Sequence, residues 1–190
     1  MFSIKIIIME NFYKEKKLAE FSEEEWERLC MNCGKCCMNK YSDRKEIHFF
    51  DQMCRYYDLK KGCCSRYDTR LSTGVCAKVN MKLLKNNIEL LPDTCPYRLL
   101  YEGKDLPDYH PLITGNPNSP IEAGATVKSL PVYSEQDKSD ALYMLHIRAD
   151  AENWDEVKFL EEEMKIFNQF EPKIIFSFPI KKNLIKKLLF

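Results

Sequence analysis

An α+β fold is what the sequence predicts, on three observations. Nine cysteines all fall between Cys30 and Cys95, helix-capping signals recur at short intervals, and strand-like runs are few and brief. Together these describe a small metal-centred cysteine-cluster domain with short helices and few strands, followed by a C-terminal helical extension. A chain of 190 residues with 45% hydrophobic residues has apolar material for one core. We place the cysteine-cluster domain at residues 9–154, read residues 1–8 as a misassigned start, and set residues 155–190 apart as the extension.

Charge and hydropathy exclude several function classes. Lys plus Arg and Asp plus Glu number 29 each, so no global field draws the chain onto nucleic acid, and none is expected as a partner. The longest apolar runs, Ile6 to Met9 and Ile174 to Phe178, fall far short of the roughly 20 residues that cross a bilayer. Met1 to Met9 is too short for an export signal and runs straight into the charged stretch from Glu10 to Glu20, so a cytoplasmic location is expected. In that reducing compartment clustered cysteines bind metal or perform redox chemistry more often than they form structural disulfides.

Taken in order, Met9 opens a second start, because MENFYKEKKLAEF has the polar, helix-prone character of an ordinary amino terminus; the alternative for the first residues is an edge strand with Ile4, Ile6 and Ile8 on one face. Ser22 followed by Glu23, Glu24 and Glu25 is a capping box with acidic residues in the first turn, and Phe21 can staple onto Trp26; a short helix then delivers Cys30. Glu46 to Phe50 reads as a strand, and Asp51 to Leu59 as a helical turn or two carrying Cys54 and ended by Gly62. Asn80 caps a helix with Met81, Leu84, Ile88 and Leu91 at helical spacing, stopped by Pro92. Asp93-Thr94-Cys95-Pro96 begins another, with Leu99 and Leu100 buried and Gly103 as its stop. Cys95 then sits at a helix amino terminus, where the dipole and free amides favour a thiolate. Residues 106–120, rich in Pro and Gly, read as an ordered loop or linker. From Asn153 a helix is expected, with Val157, Leu160, Met164 and Phe167 packed on the core. The tail after Glu171 carries five lysines and no acid, and a solvated basic tail is favoured over contact with a membrane surface.

The chemistry lies in the cysteines. Cys30-Met31-Asn32-Cys33-Gly34-Lys35 has the form of a metal knuckle, two thiolates reaching one ion while amides around the glycine point at the sulfurs. Cys36 extends it to C-x2-C-x2-C, which resembles the run that holds three corners of an iron-sulfur cluster in bacterial ferredoxins, where the fourth cysteine precedes a proline as Cys95 precedes Pro96. Zinc is the competing reading, since eight or nine thiols suffice for two closed four-thiolate sites, with Cys37, Cys54, Cys63, Cys64 and Cys76 available for the second. Of three histidines, only His110 stands where a ligand or proton-transfer role can be argued, and a lone loop histidine is more often solvated or hydrogen-bonded. No phosphate loop, nucleophile elbow, H-E-x-x-H or GxGxxG is present, so no enzymatic activity is assigned.

Read together, EEWERLCMNCGKCCMNK, the cysteines Cys54, Cys64 and Cys76, and LPDTCPYRLLYEGKDLPDYHPLITG resemble the YcgN-type branch of the bacterial CxxCxxCC cysteine-cluster proteins, a YkgJ-like group described as zinc- or iron-chelating. The resemblance covers about Phe12 to Trp154 and favours Met9 as the start. It implies Cys30, Cys33, Cys36 and Cys37 as the signature metal ligands and Cys54, Cys64, Cys76 and Cys95 as the later ones. Cys63 is a further candidate that departs from the pattern, whose middle pair is Cys-x-Cys. The acidic segment after the first cluster is short here, SDRKE, and Tyr109 stands where a Trp is expected before His110.

The expectation is therefore a protein chelating zinc or iron, its metal supplying much of the folding energy of residues 22–102. The alternatives are an iron-sulfur protein with a redox or accessory role, held by Cys30, Cys33, Cys36 and Cys95, and a metal-stabilised module whose protein partner docks on a surface such as the Tyr109 to Gly115 loop.

Overall fold

The computed structural model describes residues 12–42, 45–152 and 155–180; the expectations placed on residues 1–8 and on the tail from Lys181 lie outside them. The chain begins with one helical turn, Phe12–Glu15 (α1), whose Phe12 ring is sealed into the core edge-on to Phe21 at 4.9 Å. The capping box forms as read: Ser22 Oγ accepts from the Glu25 amide at 3.2 Å and Glu25 Oε2 accepts from the Ser22 amide at 2.9 Å, starting Glu23–Arg28 (α2). Trp26 packs on Tyr97 at 5.1 Å and donates its indole N–H to the Val79 carbonyl at 2.8 Å.

Two strands follow, Met38–Ser42 (β1) and Glu46–Met53 (β2), antiparallel from Met38 opposite Met53 to Ser42 opposite Ile47, with an irregularity between Met38 and Lys40. The strand thus runs three residues past the sequence expectation, and the helical turns foreseen at Asp51 to Leu59 are absent. The reason lies at Asp51, a buried acid on the core-facing side of β2, which masked the period-2 alternation of Ile47, Phe49 and Met53. Its carboxylate accepts the Lys173 amide at 2.8 Å. A two-residue ladder, Tyr57–Asp58 (β3) with Cys63–Cys64 (β4), completes this part of the chain, and a single helical turn at Arg70–Thr73 follows.

The next helices start where their caps predict. Asn80 Oδ1 accepts the Leu83 amide at 3.0 Å to begin Met81–Asn87 (α3), and Pro96–Tyr101 (α4) follows Cys95 as its capping residue. Leu84, Ile88 and Leu91 are buried while Met81 is exposed; on α4 the buried residues are Pro96, Tyr97 and Arg98, with Leu99 and Leu100 half-buried. The proline-rich stretch is ordered into two short turns, Pro111–Thr114 (α5) and Ser119–Glu122 (α6).

The C-terminal region departs most from expectation. It contains Glu135–Glu152 (α6 being followed by this α7) and Glu156–Gln169 (α8), but also a strand, Ile174–Pro179 (β5), that pairs antiparallel with β2 and makes it the centre of a β1-β2-β5 sheet. Phe176 stacks on Phe49 at 4.7 Å and Phe178 meets it edge-on at 5.7 Å. The extension is therefore helical only in part. No amphipathic pattern announces α7, whose apolar residues do not gather on one face. On α8 the face of Val157, Leu160, Met164 and Phe167 is exposed rather than packed on the core.

Two groups of buried side chains result. One joins α1, α2, α3 and α4 through Phe12, Leu29, Leu84, Leu91 and Tyr97; the other lies under the sheet around Phe49, Met53, Tyr57 and Val127. Burying a side chain the size of Phe49, fully enclosed here, contributes about 1.5–3 kcal/mol.

Candidate metal centre

The knuckle is built by two backbone reversals. After α2 the Cys30 amide still bonds to the Glu27 carbonyl at 3.1 Å, then Asn32 (φ 52°) and Gly34 (φ 75°), on either side of Cys33, both turn left-handed. Asn tolerates that conformation and Gly adopts it freely. Glycine is required at 34 for a second reason: an added Cβ would overlap the Tyr57 hydroxyl and lie 2.7 Å from both Tyr57 Cζ and Val127 Cγ2. The Val127 amide holds the Cys33 carbonyl at 2.8 Å, and a helical turn over Lys35–Cys37 presents Cys36 and Cys37 in succession.

The later cysteines arrive from four other segments. Cys54 follows β2 and donates its amide to the Cys37 carbonyl at 2.7 Å. Cys64 lies opposite Tyr57 in the β3–β4 ladder and is half-buried, whereas Cys63, opposite Asp58, is exposed. Cys76 is exposed, in a segment fastened to α2 through Glu27, which accepts Arg70 Nη2 at 3.2 Å and the Tyr67 hydroxyl; Arg70 also lies 3.8 Å over the Tyr67 ring. Cys95 is buried at the start of α4.

All nine cysteines are free thiols, and all nine line one cavity of about 400 Å³. It opens where the two buried groups meet, bounded by Leu91 and Tyr97 from one and Met38 and Tyr57 from the other. Every cysteine predicted as a metal ligand therefore lines a common space. Among the described residues, no three of His, Cys, Asp or Glu stand close enough together to hold one ion as placed; the thiols are gathered, not closed on a point. Sequence reasoning missed Lys40, Arg70, Tyr57, Tyr67 and Tyr97 on the same wall. No motif spacing marks them, because they come from several segments, Tyr67 and Arg70 alone from the same one.

Burial dominates the acidity of the inner thiols. It pushes Cys30 up to about 11 and Cys33 up to about 12, with the charge of Cys36 adding to both. Cys95 is also pushed up, by burial first and by Cys36 and Cys33 next, against the lowering effect of the Arg98 and Tyr97 amides. The thiolate expected at this helix start is thus not favoured: desolvation outweighs two amide hydrogen bonds. Cys36 moves the other way, down to about 6, because the Cys37 thiol donates to it and the Lys40 ammonium lies nearby; the same bond pushes Cys37 up. Lys40 donates to the carbonyls of Cys36 at 2.6 Å and Met38 at 3.1 Å, and it feels Cys36, Cys37, Cys54 and Cys76.

His110 is not part of this wall. It is fully buried, its Nδ1 accepts the Leu112 amide at 3.1 Å and its Nε2–H donates to the Leu29 carbonyl at 3.0 Å, so both ring nitrogens are committed. Its role is to fix the chain one residue ahead of Cys30.

Such a chain, with nine free thiols around one cavity and no helix among the described residues long and apolar enough to cross a membrane, is a cysteine-rich α+β protein. No family model matches the sequence, and no solved structure matches it. Relatives do: it is 44% identical over 124 residues to a UPF0260 protein of Haemophilus influenzae (strain 86-028NP), covering 63% of this chain and 80% of the relative. It is 41% identical over 130 residues to a UPF0260 protein of Aliivibrio fischeri, covering 66% and 87%. Against a UPF0260 protein of Rhizorhabdus wittichii it is 40% identical over 132 residues, covering 68% and 89%. The chain belongs to the UPF0260 family, a bacterial family whose name states no activity.

Proposed function

We propose that this protein is a metal-binding cysteine-cluster protein, its thiolates holding zinc or iron within the cavity. One observation carries the reading: nine free thiols, drawn from five segments, converge on a single space of about 400 Å³. Scattered structural cysteines, each a small buried hydrophobe, have no reason to share a wall. The donor chemistry fits the group, since thiolates select zinc and iron-sulfur clusters over hard cations. Lys40 and Arg70 on the wall offset the negative charge that several thiolates accumulate. The likeness to the YcgN-type CxxCxxCC proteins points the same way and names Cys30, Cys33, Cys36, Cys37, Cys54, Cys64, Cys76 and Cys95 as the ligands, with Cys63 departing from the pattern.

In this reading Gly34 and Asn32 shape the knuckle, and closing the thiols on metal contributes folding energy that the small cores lack. Zinc would supply a structural crosslink; an iron-sulfur cluster would supply one-electron chemistry. The second alternative draws on the cavity itself, which is larger than one tetrahedral ion needs. Oxygen-free purification with analysis for zinc, iron and acid-labile sulfide, and a visible spectrum of the same sample, tests both. Stoichiometric zinc without colour gives the first; iron with matching sulfide gives the second. A fully reduced, folded protein with no metal, which then takes up neither zinc nor iron, overturns the proposal.

A further inference from the structure

We propose that the cavity is built for two neighbouring metal centres, the first served by Cys30, Cys33, Cys36 and Cys95, the second by Cys37, Cys54, Cys64 and Cys76, with Cys63 outside both. The proposal rests on the metal-binding reading above and assigns its ligands. The first ground is capacity. A closed tetrahedral site with metal-sulfur bonds of about 2.3 Å takes four thiolates and leaves no room inside; here twice that number, and one more, surround about 400 Å³.

The second ground is where the backbone sets each thiol. Cys30, Cys33 and Cys36 come from the knuckle after α2, and Cys95 from the start of α4, and Cys33 and Cys95 are both buried. The other set belongs to the strands. Met38 pairs with Met53, so Cys37 and Cys54 are the next opposed residues, joined by the 2.7 Å bond from Cys54 N–H to the Cys37 carbonyl. The Tyr57 amide returns to the Cys54 carbonyl at 2.9 Å, and Tyr57 pairs with Cys64, which places β4 beside the same end of the sheet.

Adjacent cysteines are then divided by geometry. Of the adjacent pair Cys36 and Cys37, it is Cys37 whose carbonyl accepts the Cys54 amide and which packs against the buried group under the sheet. Cys63 and Cys64 are consecutive on a strand and point to opposite faces, which accounts for Cys63 being exposed and Cys64 half-buried. The buried groups sort the same way: Cys95 belongs to the helical group with Cys30 packed against it, while Cys37 packs against the group under the sheet.

The test is an anaerobic titration of the reduced, metal-free full chain with cobalt(II), whose absorbance reports four-thiolate coordination, paralleled by native mass spectrometry with zinc(II). Two equivalents per chain are expected. Cys33→Ser and Cys64→Ser should each halve the four-thiolate signal, the pair together should remove it, and Cys63→Ser should leave it whole. Cadmium-113 NMR of the unsubstituted chain, which needs no variant to fold, should show two resonances. A single equivalent with a single resonance, or a Cys64→Ser chain with the full signal, overturns the two-centre assignment while leaving metal binding intact. No metal bound by the unsubstituted chain overturns both.

Discussion

Cys37 and Cys54 meet across the open end of the β1–β2 ladder, the Cys54 amide donating to the Cys37 carbonyl at 2.7 Å one step beyond the Met38–Met53 pair. A thiol from the knuckle and a thiol seventeen positions later in the chain are thereby held by the sheet itself. The sheet register and the cysteine cluster are one construction, so damage to either should be visible in the other.

Gly34 is the most sensitive backbone position. Gly34→Ala combines a strained left-handed residue with overlap against Tyr57 and Val127, together costing about 2–4 kcal/mol. The urea midpoint should fall and bound metal should fall with it. An unchanged midpoint would mean that Tyr57 moves aside without penalty.

His110 should behave as a structural residue. His110→Ala removes two hydrogen bonds and leaves a void, and a loss of about 2–4 kcal/mol in equilibrium unfolding is expected. Burial lowers the imidazole below its ordinary value of 6.5. The unfolded chain therefore binds the proton more readily, and the stabilisation is fully present above about 6.5 and lost as pH falls through the folded value. The variant should lose that part of the acid sensitivity; a stability profile identical in shape to the parent's would count against the assignment.

Cys36 should be the first thiol alkylated in the reduced, metal-free chain. The Cys37 thiol and the Lys40 ammonium hold the Cys36 thiol below its ordinary value, while burial pushes Cys30 and Cys33 up to about 11 and 12, so Cys36 is the most readily ionised of the three. Iodoacetamide labelling followed by peptide mass spectrometry across the neutral range reads this directly. Cys37→Ala should move the labelling inflection upward, and equal rates for Cys36 and Cys33 would contradict it.

The C-terminal strand should prove integral. Phe176→Ala with Phe178→Ala strips the cover from Phe49, and a destabilisation of about 2–5 kcal/mol is expected from the two together. In limited proteolysis the segment Ile174–Pro179 should remain with the core even where the α7–α8 connection is cut. Early loss of β5 without loss of the β1–β2 core would refute this.

What the sequence determined, it determined through local chemistry. Ser22 and Asn80 start helices because each cap is satisfied by an amide three residues on, Pro96 starts one because its fixed backbone suits the first helical position, and Gly34 is legible because it lies between Cys33 and Cys36 in a short motif. The cysteines announced a common site by their number and their confinement to residues 30–95. Only the tertiary structure decided that β5 closes the sheet, since the pairing of Phe49 with Phe176 spans more than a hundred residues and IIFSFP carries no mark of its partner. The same holds for Asp51, whose burial depends on a backbone amide at Lys173, and for the α8 face, which periodicity identifies but cannot cover. Periodicity reports which side of an element is apolar; the packing of distant segments decides whether anything lies against it, and for the thiols, which of them share a wall with Lys40 and Tyr57.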